Sequence, residues 1–292
     1  MKVAIYGRES VRNLENLFDQ VVKNLEQARC SYVVYAPFKE YLKKTYKRQI
    51  ESPAFRDHSE IRGQVDILIS IGGDGTLLDT IALVRDSKIP VMGINAGRMG
   101  FLASIPTEKI AYAIDCLVKG RYDLDHRSLL RLESNHDIFG DMNFALNELT
   151  IHKKETASMI TIHTYLNGEY LNSYWADGLI IATPTGSTGY SLSCNGPIIF
   201  PQSENFVITP IAPHNLNVRP IIVSDKNVIS LEVEGRSSNF MASLDSRSFT
   251  IDSSVQMAVR KENFYISLVR LHDQNFLSTL RQKLMWGLDS RN

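Results

Sequence analysis

The chain has 292 residues, 43% of them hydrophobic, and Lys plus Arg balance Asp plus Glu at 32 each, for a formal net charge of zero. That length suits one large domain or two modest ones with real cores, and neutrality offers neither a basic field for nucleic acid nor an acidic tail. Three cysteines (Cys30, Cys116, Cys194) without a Cys-x-x-Cys pair argue against structural zinc or a disulfide framework and suit a reduced, cytoplasmic setting, while no apolar run approaches the ~18 residues of a membrane span or forms a signal peptide.

Val3 to Tyr6 reads as a first strand. Leu14, Leu17, Phe18, Val21, Val22 and Leu25 then form one apolar stripe of an amphipathic helix. Tyr32 to Ala36 reads as a second strand, and Phe38, Tyr41, Leu42, Thr45 and Tyr46 recur at helical spacing. Lys47 to Gln64 is polar and irregular and reads as a linker or mobile loop.

The organising stretch follows. Val65 to Ile71 is an apolar run that stops at Gly72-Gly73-Asp74-Gly75-Thr76, and Leu77, Leu78, Ile81 and Ala82 continue at helical spacing. This predicts a buried strand, a glycine-rich turn and a helix. The first helical amides lack internal partners and can hold a phosphate, while glycines let the ligand approach. An equally open reading is a simple turn in which Thr76 and Asp79 act as a capping box.

Ile89 to Ile94 reads as the next strand, and Ile110, Ala111, Ile114, Leu117 and Val118 as a further helix. Alternating strands and helices predict a doubly wound, mostly parallel sheet. Between them lies a second glycine-rich loop, Asn95-Ala96-Gly97-Arg98-Met99-Gly100-Phe101-Leu102, placed to meet the Asp74 turn at the strands' carboxyl ends. Phe101 is either a platform for a base or a core ring.

After Tyr122 the pattern changes to short alternating segments, with a boundary near residues 120 to 125. Strands are expected at Leu129–Glu133, Met159–Tyr165, Tyr170–Trp175, Leu179–Thr183, Phe206–Ile211, Val228–Val233, Phe240–Leu244, Gln256–Val259 and Phe264–Leu268, with Asn167-Gly168 as a hairpin turn. Asn147-Glu148 opens another strand, where it can hold ribose hydroxyls or a carboxamide, or be a plain exposed edge. Ala176-Asp177-Gly178 leads a strand into Thr183-Pro184-Thr185-Gly186-Ser187-Thr188-Gly189-Tyr190, dense in hydroxyls and glycine but without a Walker lysine. Phe276, Leu277, Leu280, Leu284 and Met285 mark a closing helix. The chain thus divides into an α/β domain at 1–122, a mostly β, antiparallel dinucleotide-binding domain at 123–270, and a helix at 271–292 that packs back on the first domain.

Taken as an ordered set, these motifs resemble the NAD kinase family over nearly the whole length. The set is Gly72 to Thr76, Gly93-Ile94-Asn95 to Gly100-Phe101-Leu102, Asn147-Glu148, Asp177-Gly178, Thr183 to Thr188 with Tyr190 and Ser193, Pro210 to His214, and Leu280 to Trp286. The resemblance implies phosphoryl transfer from ATP, or polyphosphate, to the 2′-hydroxyl of the adenosine ribose of NAD, giving NADP. It implies a divalent metal, usually magnesium, with no protein ligand named, and a homo-oligomer (dimer or tetramer). It makes Asp74 the catalytic base, and Gly72, Gly73 and Gly75 phosphate contacts. Asn95, Phe101, Asn147, Glu148, Trp175, Asp177, Thr188, Gly189, Tyr190, Ser193 and Ala212 line the substrates, and His214 reads as a turn residue. Gly189, Trp175 and Ser243 to Arg247 depart from the commoner Ala, Arg and Asp-Gly-Gln, so no glutamine contact is carried over. The rival readings are a lipid or sugar-phosphate kinase on the same turn, and a non-catalytic NAD or NADP sensor.

Overall fold

The computed structural model describes residues 1–9, 14–47, 49–97, 100–154 and 158–285. They form two compact units, Met1–His126 with Ile266–Asn292, and Arg127–Tyr265.

The first unit is built on a parallel sheet. Strands Val91–Asn95, Ile67–Gly72, Lys2–Gly7, Ser31–Tyr35 and Ala54–Phe55 lie side by side in that order. Alternate residues face opposite ways, so Val3, Ile5, Ile67, Ile69, Ile71, Met92 and Ile94 share a core with helices Leu14–Gln27 and Ile110–Val118. The buried side chains of the first helix are Leu14, Leu17, Phe18, Val21, Val22 and Leu25, the whole apolar stripe. The other face takes helix Asp74–Val84, whose Leu77 reaches over Gly93. Helix Phe276–Leu284 belongs to this unit. Asn275 caps it by accepting from the Ser278 amide at 2.8 Å, Leu280 is buried, and Phe276 lies against Phe101. Gln274 anchors the approach to this helix by donating to the Ser104 carbonyl at 2.8 Å.

The second unit is a sandwich of antiparallel strands. One layer pairs Glu169–Ala176 with Ile160–Leu166, then Ile229–Gly235, then the start of Met257–Leu271. The other runs Ile221–Ser224, Asn205–Ile211, Gly178–Ala182, Glu148–Lys153, Asn239–Leu244, Arg247–Asp252. Their inward residues, among them Ile162, Tyr174, Leu231, Leu149, Leu179, Phe206 and Phe240, fill one core. Asn167 and Gly168 both have positive φ, 53° and 85°, as a two-residue hairpin turn requires.

Several expectations are corrected. Lys47 to Gln64 is not an unstructured linker. Ala54–Phe55 adds a strand beside Ser31–Tyr35, and Asp57 caps helix His58–Ile61 through the amides of Ser59 and Glu60. A two-residue strand has no period to read. The expected strands Gln256–Val259 and Phe264–Leu268 merge into one, Met257–Leu271, which starts one residue later, because the polar Arg260-Lys261-Glu262-Asn263 interrupts the pattern without breaking the backbone. Thr76 and Asp79 do not form a capping box. Gly73 is the N-cap, Thr76 is buried, and Asp79 accepts from Tyr6 and pairs with Arg8.

Candidate functional site

In the first unit every residue of strand Ile67–Gly72 is buried, and the chain turns at Gly73 straight into helix Asp74–Val84. A side chain at residue 72 would overlap that of Thr76, so the turn closes this tightly only with glycine. Asp74 is the first helical residue. Its Oδ1 accepts the amides of Leu102 at 3.0 Å and Ala103 at 2.9 Å, and its Oδ2 that of Phe101 at 2.8 Å. Lys283 approaches Oδ2 at 3.4 Å. The second glycine-rich loop therefore folds its backbone onto this carboxylate. Asn95 holds the loop's base, donating to the Ala103 carbonyl at 3.0 Å and accepting from the Gly97 amide at 2.7 Å. Arg98 and Met99 lie outside the described residues.

Phe101 packs at 6.2 Å from Phe276, with the Lys283 ammonium 4.8 Å over its ring. Arg8 reaches within 3.9 Å of where a Gly75 side chain would start. Gly100 is fixed by contact, because a β-carbon there would overlap the Asp74 carboxylate. Gly100→Ala must push loop and carboxylate apart, and we expect it to destabilise by about 2 kcal/mol, the scale of hydrogen bonds to a charged group. Thermal unfolding checks this, and a melting temperature equal to wild type would mean the loop yields freely.

In the second unit, Asn147 and Glu148 open a strand flanked on both sides, by Gly178–Ala182 and Asn239–Leu244. They are not at an exposed edge. The Asp245 carboxylate gathers the amides of Leu146, Asn147 and Glu148 at 2.9, 2.8 and 3.2 Å, and burial pushes it above the usual carboxylate range while those amides oppose. Asn147 Oδ1 and Glu148 Oε2 are buried and have no hydrogen-bond partner among the described residues. Gly189 faces them, its β-position 3.3 Å from Glu148 Oε2 and 3.7 Å from Asn147 Nδ2. Two polar atoms left unmet at one spot are costly unless a ligand meets them.

The hydroxyl-rich turn beside them is mostly self-contained. Thr183 donates to the Leu146 carbonyl at 2.5 Å, Ser187 to Pro184 at 2.7 Å, and Ser191 pairs with Thr209 at 2.8 Å. Thr188 donates to the Thr185 carbonyl at 3.2 Å. Tyr190 is 43% exposed, and Ser193 is exposed too. Asp177 pairs with Lys153 at 2.6 Å. Trp175 is exposed and lies, tilted, 4.2 Å from His214, two residues beyond Ala212, which has a left-handed φ of 43°.

Comparison with known families decides what these two sites belong to. Residues 3–122 match the ATP-NAD kinase N-terminal domain, and residues 146–271 match the ATP-NAD kinase C-terminal domain. The chain belongs to the ATP-NAD kinase family. It is 47% identical to the NAD kinase of Cytophaga hutchinsonii and 45% identical to that of Flavobacterium psychrophilum, each over the full length of both chains. Its fold is similar to yeast NADH kinase complexed with NADH (TM-score 0.86, 21% identity, 99% of this chain and 88% of that one). It is also similar to an NAD kinase from Archaeoglobus fulgidus in complex with ATP (TM-score 0.74, 22% identity, 97% and 99%).

Within this ATP-NAD kinase chain the structure brings Gly72, Gly73, Asp74, Gly75, Asn95 and Phe101 together in the first unit. In the second, Asn147, Glu148 and Gly189 meet directly, and burial, with Cys194, Asp177 and Glu148 adding to it, pushes the Tyr190 phenol up. Sequence reasoning gave no role to Asp245, Gly100, Arg8 or Lys283. The available signals were that Gly100 sits inside the matched Gly93 to Leu102 loop, that Asp245 falls in the departing Ser243 to Arg247 stretch, and that Lys283 sits inside the matched Leu280 to Trp286 ending, whose Trp286 lies outside the described residues. Among the described residues no three His, Cys, Asp or Glu side chains converge as a metal set, and no helix is long and apolar enough to cross a membrane.

Burial, with Asp245 adding to it, pushes the Glu148 carboxyl up to about 8 from 4.5. Between those values the unfolded chain has lost this proton while the folded chain keeps it. Stability therefore falls as pH rises through that window and falls no further above it. Glu148→Gln carries no such proton. Its stability relative to wild type should rise by several kcal/mol from pH 4.5 to 8 and then level off. Melting curves across that range test this, and a pH-independent difference would mean that Glu148 ionises normally in the folded chain.

Proposed function

We propose that the chain transfers the terminal phosphoryl group of ATP to the 2′-hydroxyl of the adenosine ribose of NAD, giving NADP. The observation that carries this reading is the Asp74 carboxylate, aimed by three loop amides at the mouth of the glycine turn. The ribose oxygen attacks the γ-phosphorus as its proton passes to Asp74 Oδ2. The bond from that phosphorus to the β–γ bridging oxygen breaks, and ADP leaves with the bond's electrons. Such general-base help is typically worth ~10²–10⁴-fold. Gly72, Gly73 and Gly75 would let the phosphates reach the first amides of helix Asp74–Val84.

In the second unit Asn147 and Glu148 would hold a ribose of the dinucleotide. A protonated Glu148 donates to a hydroxyl oxygen, and Asn147 Oδ1 accepts from a hydroxyl. Asp177, Tyr190, Thr188, Gly189, Ser193, Trp175 and Ala212 would border the rest. Among the described residues no set of side chains forms a cage for a free divalent ion. Magnesium would arrive with ATP rather than be held by these residues, and would offset negative charge in the transition state. The molecule would act as a homo-oligomer in the cytoplasm.

The test is NADP formation by purified protein from NAD, ATP and magnesium, repeated with polyphosphate as donor and with diacylglycerol or fructose 6-phosphate as acceptor. NADP formation supports the reading. Phosphorylation of the lipid or sugar in its place, or tight NAD binding without turnover, overturns it.

A further inference from the structure

We propose that Lys283 is a contact for the donor's transferred phosphate, holding Asp74 before ATP arrives and passing to a γ-phosphate oxygen when it binds. The inference rests on the phosphoryl-transfer reading above and names a residue that reading does not use. A triphosphate in a loose transition state spreads negative charge over its terminal oxygens, and a side-chain cation within reach of them stabilises it. No residue from Gly72 to Thr76 carries a positive charge. Among the described residues the cation paired with Asp74 is Lys283, at 3.4 Å from Oδ2.

Its place on the helix is informative. Phe276, Leu280 and Lys283 lie at i, i+4 and i+7, one stripe of helix Phe276–Leu284. Phe276 packs on Phe101 and Leu280 is buried, so Lys283 is directed at the loop. A lysine in the last helical turn also favours the helix dipole, which is the plain structural reading. That reading asks only for an ammonium near the final carbonyls. Here the ammonium lies 4.8 Å over the Phe101 ring and on Asp74. Its contact with Oδ2 is long and single, so a phosphate oxygen can displace the carboxylate. Once Lys283 moves to phosphate, Oδ2 keeps only the Phe101 amide and has a lone pair open to the ribose hydroxyl.

Lys283→Met, Lys283→Arg and Lys283→Ala test this by steady-state kinetics and by calorimetry with ATP and with NAD. We expect Lys283→Met to lower kcat/KM for ATP by about 10- to 100-fold, the range of one charged hydrogen bond. NAD affinity should stay unchanged. Lys283→Arg should restore most of the loss, and added ethylammonium should partly rescue Lys283→Ala. Wild-type kcat/KM for ATP in Lys283→Met would overturn the proposal. So would equal losses in melting temperature and NAD affinity with no rescue by arginine or amine, since a mere brace behaves that way. If wild type itself makes no NADP, the phosphoryl-transfer reading fails and ATP affinity decides: weaker ATP binding in Lys283→Met supports the contact, and equal binding removes it.

Discussion

Asp74→Asn should lower NADP formation by ~10²-fold or more while the protein stays folded and binds NAD. The structure adds a second consequence. Oδ1 accepts two amides and Oδ2 one. The asparagine oxygen can keep the pair from Leu102 and Ala103, but its NH2 group would then face the Phe101 amide, donor against donor. That mismatch, together with the lost ion pair to Lys283, should destabilise by about 1–3 kcal/mol. Asp74→Glu keeps the charge yet cannot keep the geometry, so it should lose nearly as much turnover. Steady-state assay with thermal unfolding separates the two effects. Near-normal NADP production by Asp74→Asn would remove this side chain from the role of base.

Asp245→Ala should destabilise the second unit by roughly 3–5 kcal/mol. It strips the acceptor from three consecutive amides, Leu146, Asn147 and Glu148, which set the direction of the two side chains proposed to hold the ribose. The neighbouring Arg247 donates to the carbonyls of Met142 and Phe144, so the turn is tied to the same segment from both sides of Ser246. NAD affinity should fall with stability. The loss of Asp245's negative charge should also let Glu148 ionise at lower pH, since that charge is one of the causes raising it. Asp245→Asn retains one acceptor and should sit between Ala and wild type. Thermal unfolding and calorimetry measure both effects, and a wild-type melting temperature for Asp245→Ala would show the amides find other partners.

These residues mark where a linear reading stops. Asp245 appeared in the sequence only as a departure from a commoner Asp-Gly-Gln. Its importance comes from amides almost a hundred residues earlier in the chain, brought to it by the pairing of Glu148–Lys153 with Asn239–Leu244. Strand Arg247–Asp252 escaped notice because only Ile251 in it is buried, leaving no alternation to see. The hydroxyls of Thr183, Ser187 and Ser191 satisfy neighbouring backbone and side-chain groups, which no spacing in the chain announces.

What the sequence determined alone is what short-range physics controls. The stripe from Leu14 to Leu25 made a helix, the run into Gly72 made a buried strand, and Asn167-Gly168 made a hairpin, because each depends on residues within a few positions. The order of the glycine-rich motifs was enough to name a family. Only the tertiary structure decided what surrounds Asp74: amides from a loop 27 to 29 residues on and a lysine 209 residues away. Hydrogen bonds and ion pairs act through a few ångströms of space whatever the separation along the chain, so no periodicity announces them before the chain has folded.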